Sequence, residues 1–326
     1  MRRIGSPKRD IAQDVTNIII ARLEQGVPPW KRPWAIAGGG GSPLRHGGQP
    51  YSGINRLLLW AIGDAQGYAS RYWMTYSQAE ALGGQVRRGE RGSPSVYFNS
   101  VSKETENALS GDVEQRVVRF MRHYTVFSAD QIDGLPTHYY PPVVPLTAPD
   151  PSARQAAIDA FFAAIPSDLR RAGDRAFFAP AEDYIQLPVR ARFVSADHEA
   201  TTCAHEHIHW TGHPKRLDRQ FGKRFGDKAY AFEELVAEIG AGMVCAELGL
   251  PNELHDHHAS YVHHWLQVMR ADKTAIITAA AKAEAAFQYL RAFSAADGGE
   301  DAEDDEPVEL VREAIPIEPA PLAEAA

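Results

Sequence analysis

The sequence predicts an α+β fold in two parts: a small α+β unit, then a mainly helical domain, followed by an acidic tail. Three observations carry this reading. Apolar residues recur at helical spacing in separate stretches along the chain. Two runs in the first half, SVYF at 95–98 and VVRFMRHYTVFSADQI at 117–132, alternate instead, as half-buried strands do. Between the parts lies PTHYYPPVVPLTAPDPS, residues 136–152, too rich in proline for either pattern and therefore read as a linker. The boundaries that follow are 1–135, 136–152, 153–296 and a disordered tail over 297–326.

The elements follow in chain order. Residues 10–25 place Ile11, Val15, Ile18, Ile19 and Leu23 on one helical face, and VPPWKRPW then ends the helix. AIAGGGGSPLRHGGQP, residues 35–50, is a glycine-rich loop. A helix follows over 51–67, then a short strand and a second helix over 72–84, with Ser77 as its N-cap and Gly83 closing it. The two alternating runs pair as antiparallel strands around a charged turn at 103–116. In the second part, RQAAIDAFFAAIP (154–166) is a helix, and 175–193 holds two short strand candidates. Helices are expected near 197–211, 230–249, 256–270 and 273–294.

Composition sets outer limits. The chain has 326 residues, 44% apolar and 23% charged, which are globular values. No apolar run approaches the length of a membrane span, and MRRIGSPKRD lacks the apolar core of a secretory signal. Cys203 and Cys245 are far apart and outside any CxxC, so they read as reduced core residues of a cytoplasmic protein. The net charge of −8 is unevenly spread. Residues 1–130 hold 17 Lys/Arg against 11 Asp/Glu, whereas 297–326 carry 11 acids and one arginine. A basic front half suits a polyanionic partner.

CAHEHIHWTGH, residues 203–213, carries the chemistry. His205 and His209 are four apart, so a helix brings both imidazoles to one face. Glu206 follows the first, in the HExxH arrangement in which the glutamate serves as general base. A zinc ion, or another divalent metal, held by three protein ligands keeps a position open for water. The third ligand cannot come from an HExxHxxGxxH pattern, because its last position is Lys215. AFEELVAEIGAGMVCAEL, 231–248, offers Glu234 and Glu238 on one face of an otherwise apolar helix. Such acids are expensive to bury without a cation. By the gluzincin pattern Glu234 ligates and Glu238 orients a ligand histidine, and the opposite assignment stays open. His207 faces elsewhere on the helix, and His213 suits a helix end or a DNA contact. YIQLPVRAR at 184–192 offers either an edge strand for an extended peptide or a plain hairpin. Histidines 255, 257, 258, 263 and 264 read as surface positions on a helix that packs through Tyr261 and Trp265.

The front half interleaves aromatic and basic residues: Trp30, Lys31, Arg32 and Trp34, then Tyr51, Asn55 and Arg56, then Arg71 and Trp73, then Arg87, Arg88 and Arg91. Stacking rings with neutralising arginines are what single-stranded DNA requires. The same tryptophans could equally be core.

Taken together, DVTNIIIARLEQGVPPWKRPW, YSGINRLLLW, ALGGQVRRGERG, VFSADQIDGLP, HEHIHWTGHPKRLDR and YAFEELVAEIGAGMVCAELGL resemble the ArdC family of antirestriction proteins, with similarity to the N-terminal part of TraC primases. The resemblance covers about residues 10–295. It implies a single-stranded DNA-binding domain joined to a zincin-like metallopeptidase domain, in a protein of plasmids or other mobile elements. By position it puts one metal ion on His205 and His209, catalysis on Glu206 and the third ligand in EELVAE. Ser128 stands where the family has asparagine, and HEHIH where it has HELxH. The implied partners are single-stranded DNA and a host protein, either a restriction component or a repressor. Two alternatives stay open at this point: a non-enzymatic DNA shield with structural zinc, and a protease of a repressor that DNA activates.

Overall fold

The computed structural model describes residues 10–31, 41–106, 113–140, 151–219, 221, 228–250 and 258–295. Arg32, Trp34, most of the proline-rich linker and the acidic tail lie outside the described residues.

The N-terminal part begins with α1 (Ile11–Glu24), whose first turn is capped by the Asp10 side chain accepting from the Gln13 amide. Next come β1 (Leu44–Arg45), α2 (Gly53–Gln66), β2 (Tyr72–Met74) and α3 (Tyr76–Ala81). The N-cap of α3 is Thr75, not Ser77. Each is followed three residues on by a side chain able to return the bond, Gln78 for Thr75 and Glu80 for Ser77. Thr75 prevails because β2 ends at Met74, so the chain turns into helix at once.

Then follow β3 (Gln85–Val86), β4 (Ser93–Glu106), β5 (Val113–Ser128) and β6 (Ile132–Asp133). The main sheet has the order β1-β2-β5-β4, and β3 pairs with β6. β4 and β5 pair without interruption from Ser93↔Val126 to Glu106↔Val113. Of the stretch expected as a charged turn at 103–116, residues 103–106 and 113–116 are paired strand instead, since a backbone ladder does not depend on the charge of its side chains. The side-chain amide of Asn55 donates to the Val96 carbonyl and accepts from the Val96 N–H, both at 2.7 Å, as a neighbouring strand would. The start of the expected linker also packs: Tyr139 is buried, and its hydroxyl donates to the His46 carbonyl at 2.9 Å.

The C-terminal part runs α4 (Pro151–Ala163), β7 (Asp168–Arg171), β8 (Phe177–Ala179), β9 (Tyr184–Leu187), α5 (Ala196–Thr211), α6 (Lys228–Leu248), α7 (His258–Ala271) and α8 (Ala275–Ala295). Its small sheet has the order β7-β9-β8. The expected edge strand at 184–192 is thus corrected. β9 is the middle strand, residues 190–192 form a 3-10 turn, and β8 is an outer strand. β7 escapes periodicity because DLRR carries one apolar residue; parallel pairing with β9 makes it a strand.

One apolar core runs through both parts, from Val15, Ile19 and Leu57 to Leu235, Trp265, Ile276 and Phe287. Trp30 meets Trp265 edge-on with ring centroids 5.8 Å apart. Thr16 donates to the Lys273 carbonyl at 2.6 Å, and buried Arg56 pairs with Glu284 at 3.1 Å. Among the described residues, no helix is long and apolar enough to cross a membrane.

Candidate metal centre

Helix α5 starts at Ser195, whose hydroxyl accepts from the His198 amide, with Asp197 and Glu199 in the first turn where they complement the helix dipole. It packs on α6 at Gly240. A Cβ there would meet Ile208 side-chain atoms at 2.8–3.1 Å, so the glycine permits the close approach. That approach brings the acids of α6 against the histidines of α5.

His205, His209 and Glu234 each present one ligand atom within a 4.8 Å cluster. The two Nε2 atoms are 3.1 Å apart, and each lies 3.6 Å from a Glu234 carboxylate oxygen. Ligands around a tetrahedral ion with bonds of about 2.1 Å are separated by about 3.4 Å. The donor set, two imidazoles and a carboxylate, also suits such an ion, so the residues fit a divalent metal. The opposite nitrogens face two further acids: His205 Nδ1 is 3.2 Å from Glu238, and His209 Nδ1 is 3.2 Å from Glu233. Glu238 therefore faces the His205 nitrogen that is turned away from Glu234.

Glu233 is a site residue that sequence reasoning missed. Its carboxylate accepts from Arg219 Nε at 3.1 Å and Nη2 at 2.8 Å. Arg219 also donates to the Thr211 hydroxyl at 2.7 Å and to the Ile208 carbonyl at 2.6 Å, which ties the clamp back to α5. The only sequence signal was the doubled acid in FEEL, and it does not reveal which acid meets which nitrogen.

The electrostatics follow from burial and proximity. Burial pushes the Glu234 carboxyl up, but the hydrogen bond to His205, the charge of His209 and the Tyr230 hydroxyl prevail and bring it down to about 2. Burial alone would lower His205; Glu234 and Glu238 outweigh it and raise the imidazole well above its ordinary value. Glu206 is buried, and burial raises its carboxyl, with the two histidines and the Phe178 backbone N–H opposing. That contact sets Glu206 against β8.

His207 points to the other side of α5, fully buried. Its Nδ1–H donates to the Cys203 carbonyl at 2.7 Å, and its Nε2 is 2.9 Å from the Ser167 hydroxyl. His213 is a helix-end residue whose Nδ1 accepts from the Lys215 amide at 3.1 Å. Trp265 is buried, as its helix pattern required, and His263 is exposed; His255 and His257 lie outside the described residues.

The residues expected to touch DNA divide sharply. Trp30 and Trp73 are each 2% exposed, and Tyr51, Arg56 and Lys31 are buried as well. A base cannot stack on a ring enclosed by protein, so for these residues the DNA contact is corrected to a core role. Large aromatics supply the area that holds helices together. Asn55 is spent on Val96, and Arg71 donates to the Ser42 carbonyl at 3.0 Å. Arg87, Arg88 and Arg91 are exposed, although Arg87 pairs with Glu90 at 2.8 Å and Asp133 at 3.3 Å.

Comparison with known proteins identifies the family of both parts. A family model described as the N-terminal domain of anti-restriction factor ArdC matches residues 9–127, and one described as a zincin-like metallopeptidase matches 156–282. An uncharacterized protein, y4eC of Sinorhizobium fredii, is 37% identical over 288 residues, covering 87% of this chain and 92% of its own. DNA primase TraC of Escherichia coli is 38% identical over 304 residues, 88% of this chain but 27% of the primase, so the chain spans about a quarter of that relative. The crystal structure of antirestriction protein ArdC from plasmid R388, metal-free, is similar with a TM-score of 0.74 and 45% identity, covering 88% of this chain and 99% of that one. Its Mn(II)-bound form gives 0.72 at 44% identity with the same coverage.

Proposed function

The chain belongs to the ArdC family of antirestriction proteins, and from that premise we propose that it binds single-stranded DNA with its N-terminal part and hydrolyses a peptide bond of a host protein with its C-terminal part. The working boundaries are 1–135 for the first activity and 153–296 for the second. The observation that carries the second is the cluster of two imidazoles and one carboxylate at 3.1 to 3.6 Å, with Glu206 beside it.

His205, His209 and Glu234 would hold the ion, which we assign as zinc; the R388 relative takes Mn(II). When bound, such an ion polarises a carbonyl and makes a nearby water more acidic. Glu206 takes the proton of the attacking water and returns it to the leaving nitrogen as the C–N bond breaks. Its raised affinity for a proton suits a group that must both accept and give one near neutral pH. Glu238 and Glu233 fix the two rings, so that both Nε2 atoms stay aimed at one point. An extended peptide lying along β8 would present its carbonyl next to Glu206.

The test pairs Glu206→Gln with a chelator. The substituted protein should keep its metal stoichiometry and lose cleavage of host proteins, and chelation should abolish cleavage in the unaltered chain. Full protection of incoming DNA by Glu206→Gln would separate proteolysis from antirestriction.

A further inference from the structure

Among the described residues, three aromatic side chains stand out as exposed: Tyr76 at 45%, Tyr97 at 39% and Phe98 at 50%. All belong to the N-terminal part, where Trp30, Tyr51, Trp60, Trp73 and Tyr139 are buried. Tyr76, the first residue of α3, borders an open groove of about 600 Å³. Phe127 and Val86 form its apolar side, with Gln85, Arg87 and Arg88 around them. Gln85 donates to the Tyr76 hydroxyl at 3.0 Å and so fixes the ring.

The arginines are placed by a tight turn. Glu90 N–H bonds to the Arg87 carbonyl at 3.2 Å, and Gly89 has φ +91°, a left-handed conformation that a side chain at that position would resist. Arg88 therefore occupies the turn's outer corner, exposed to solvent, with exposed Arg91 just beyond. Arg87 is held by Glu90, by Asp133 and by the Asp130 carbonyl, so its charge is largely spent on the turn.

We propose that this groove receives one unstacked base of a single strand, with the base against the Tyr76 ring and the adjoining phosphate at Arg88. The proposal rests on the reading that the N-terminal part binds single-stranded DNA. A duplex does not fit, because its bases offer no free face to Tyr76 and its dense phosphates would meet Glu90 and Asp133. A single strand can turn its phosphates toward Arg88 and Arg91 and its base inward. The two acids then face exocyclic amines.

The full chain is titrated against a labelled single-stranded oligonucleotide by fluorescence anisotropy. Tyr76→Ala should weaken binding about tenfold, the loss expected for one stacked base, and Tyr76→Phe should restore it. Arg88→Ala should weaken binding and reduce the slope of log affinity against log salt by about one. Both sites are exposed, so the unfolding midpoints of all three variants should stay unchanged and exclude a folding defect. If the unaltered chain binds and both alanine variants bind equally well, the groove is overturned while the DNA-binding reading stands. If the unaltered chain binds no single strand, the underlying reading fails, and the groove with it.

Discussion

Glu233 Oε1 lies 3.2 Å from Nδ1 of His209, while the Nε2 of the same ring lies 3.6 Å from Glu234. One imidazole thus bridges an acid that fixes its tautomer and the acid with which it would share a metal. Replacing Glu233 by glutamine keeps the shape but removes the charge that Arg219 and His209 share. Metal affinity should fall by about tenfold, toward the low end for groups that orient ligand histidines. Competition with a fluorescent chelator measures it. An affinity equal to that of the unaltered protein would reduce Glu233 to a packing residue.

Gly240 sets the distance between the two helices of the site. An alanine methyl there would press on Ile208, itself fully buried, so neither side can yield cheaply. Gly240→Ala should destabilise the fold by about 1–3 kcal/mol, the usual range for overpacking. A urea midpoint unchanged or raised in the variant would show that α5 and α6 can slide apart freely.

His207 couples stability to pH. Burial lowers its pKa to about 4, with the Cys203 carbonyl opposing, from an ordinary value of 6.5. Between those values the unfolded chain binds the proton more readily than the folded one. Its contribution is therefore complete above pH 6.5 and declines as pH falls toward 4. Comparing urea unfolding near neutrality and at about pH 5, the unaltered protein should lose more stability than His207→Gln, by roughly 1–2 kcal/mol. Equal losses would mean that the folded ring takes up its proton as readily as the unfolded one.

Both cysteines should be silent in the native state. Burial pushes the Cys245 thiol up to about 12 and Cys203 higher still, so almost no thiolate exists at pH 8. A thiol-reactive dye should label neither residue until denaturant is added, and then both. Rapid labelling without denaturant would reveal an opening beside α5.

The part of the site legible in the sequence was the part that follows from helix periodicity. His205 with His209, and Glu234 with Glu238, are each four apart, and that spacing alone puts each pair on one face. Glu233 was not legible, because its role depends on how α6 is rotated against α5 and on an arginine from the loop between them. The tryptophans misled for a different reason. A ring that can stack on a base can equally fill a core, and composition does not distinguish the two; Trp30 and Trp73 went inward, and Tyr76 stayed out. In the fold, β7 went unseen because its strand state comes from its partner β9 and not from its own pattern.

The contacts between Trp30 and Trp265 and between Arg56 and Glu284 bear on how this gene product can be handled and how it can have evolved. Severing the polypeptide near its proline-rich junction would strand greasy surfaces in water on both fragments and take from Arg56 the carboxylate of Glu284 with which it pairs. A recombination event that swapped one portion would have to carry matching changes in the other. The two portions are therefore expected to be expressed, and inherited, as a single unit.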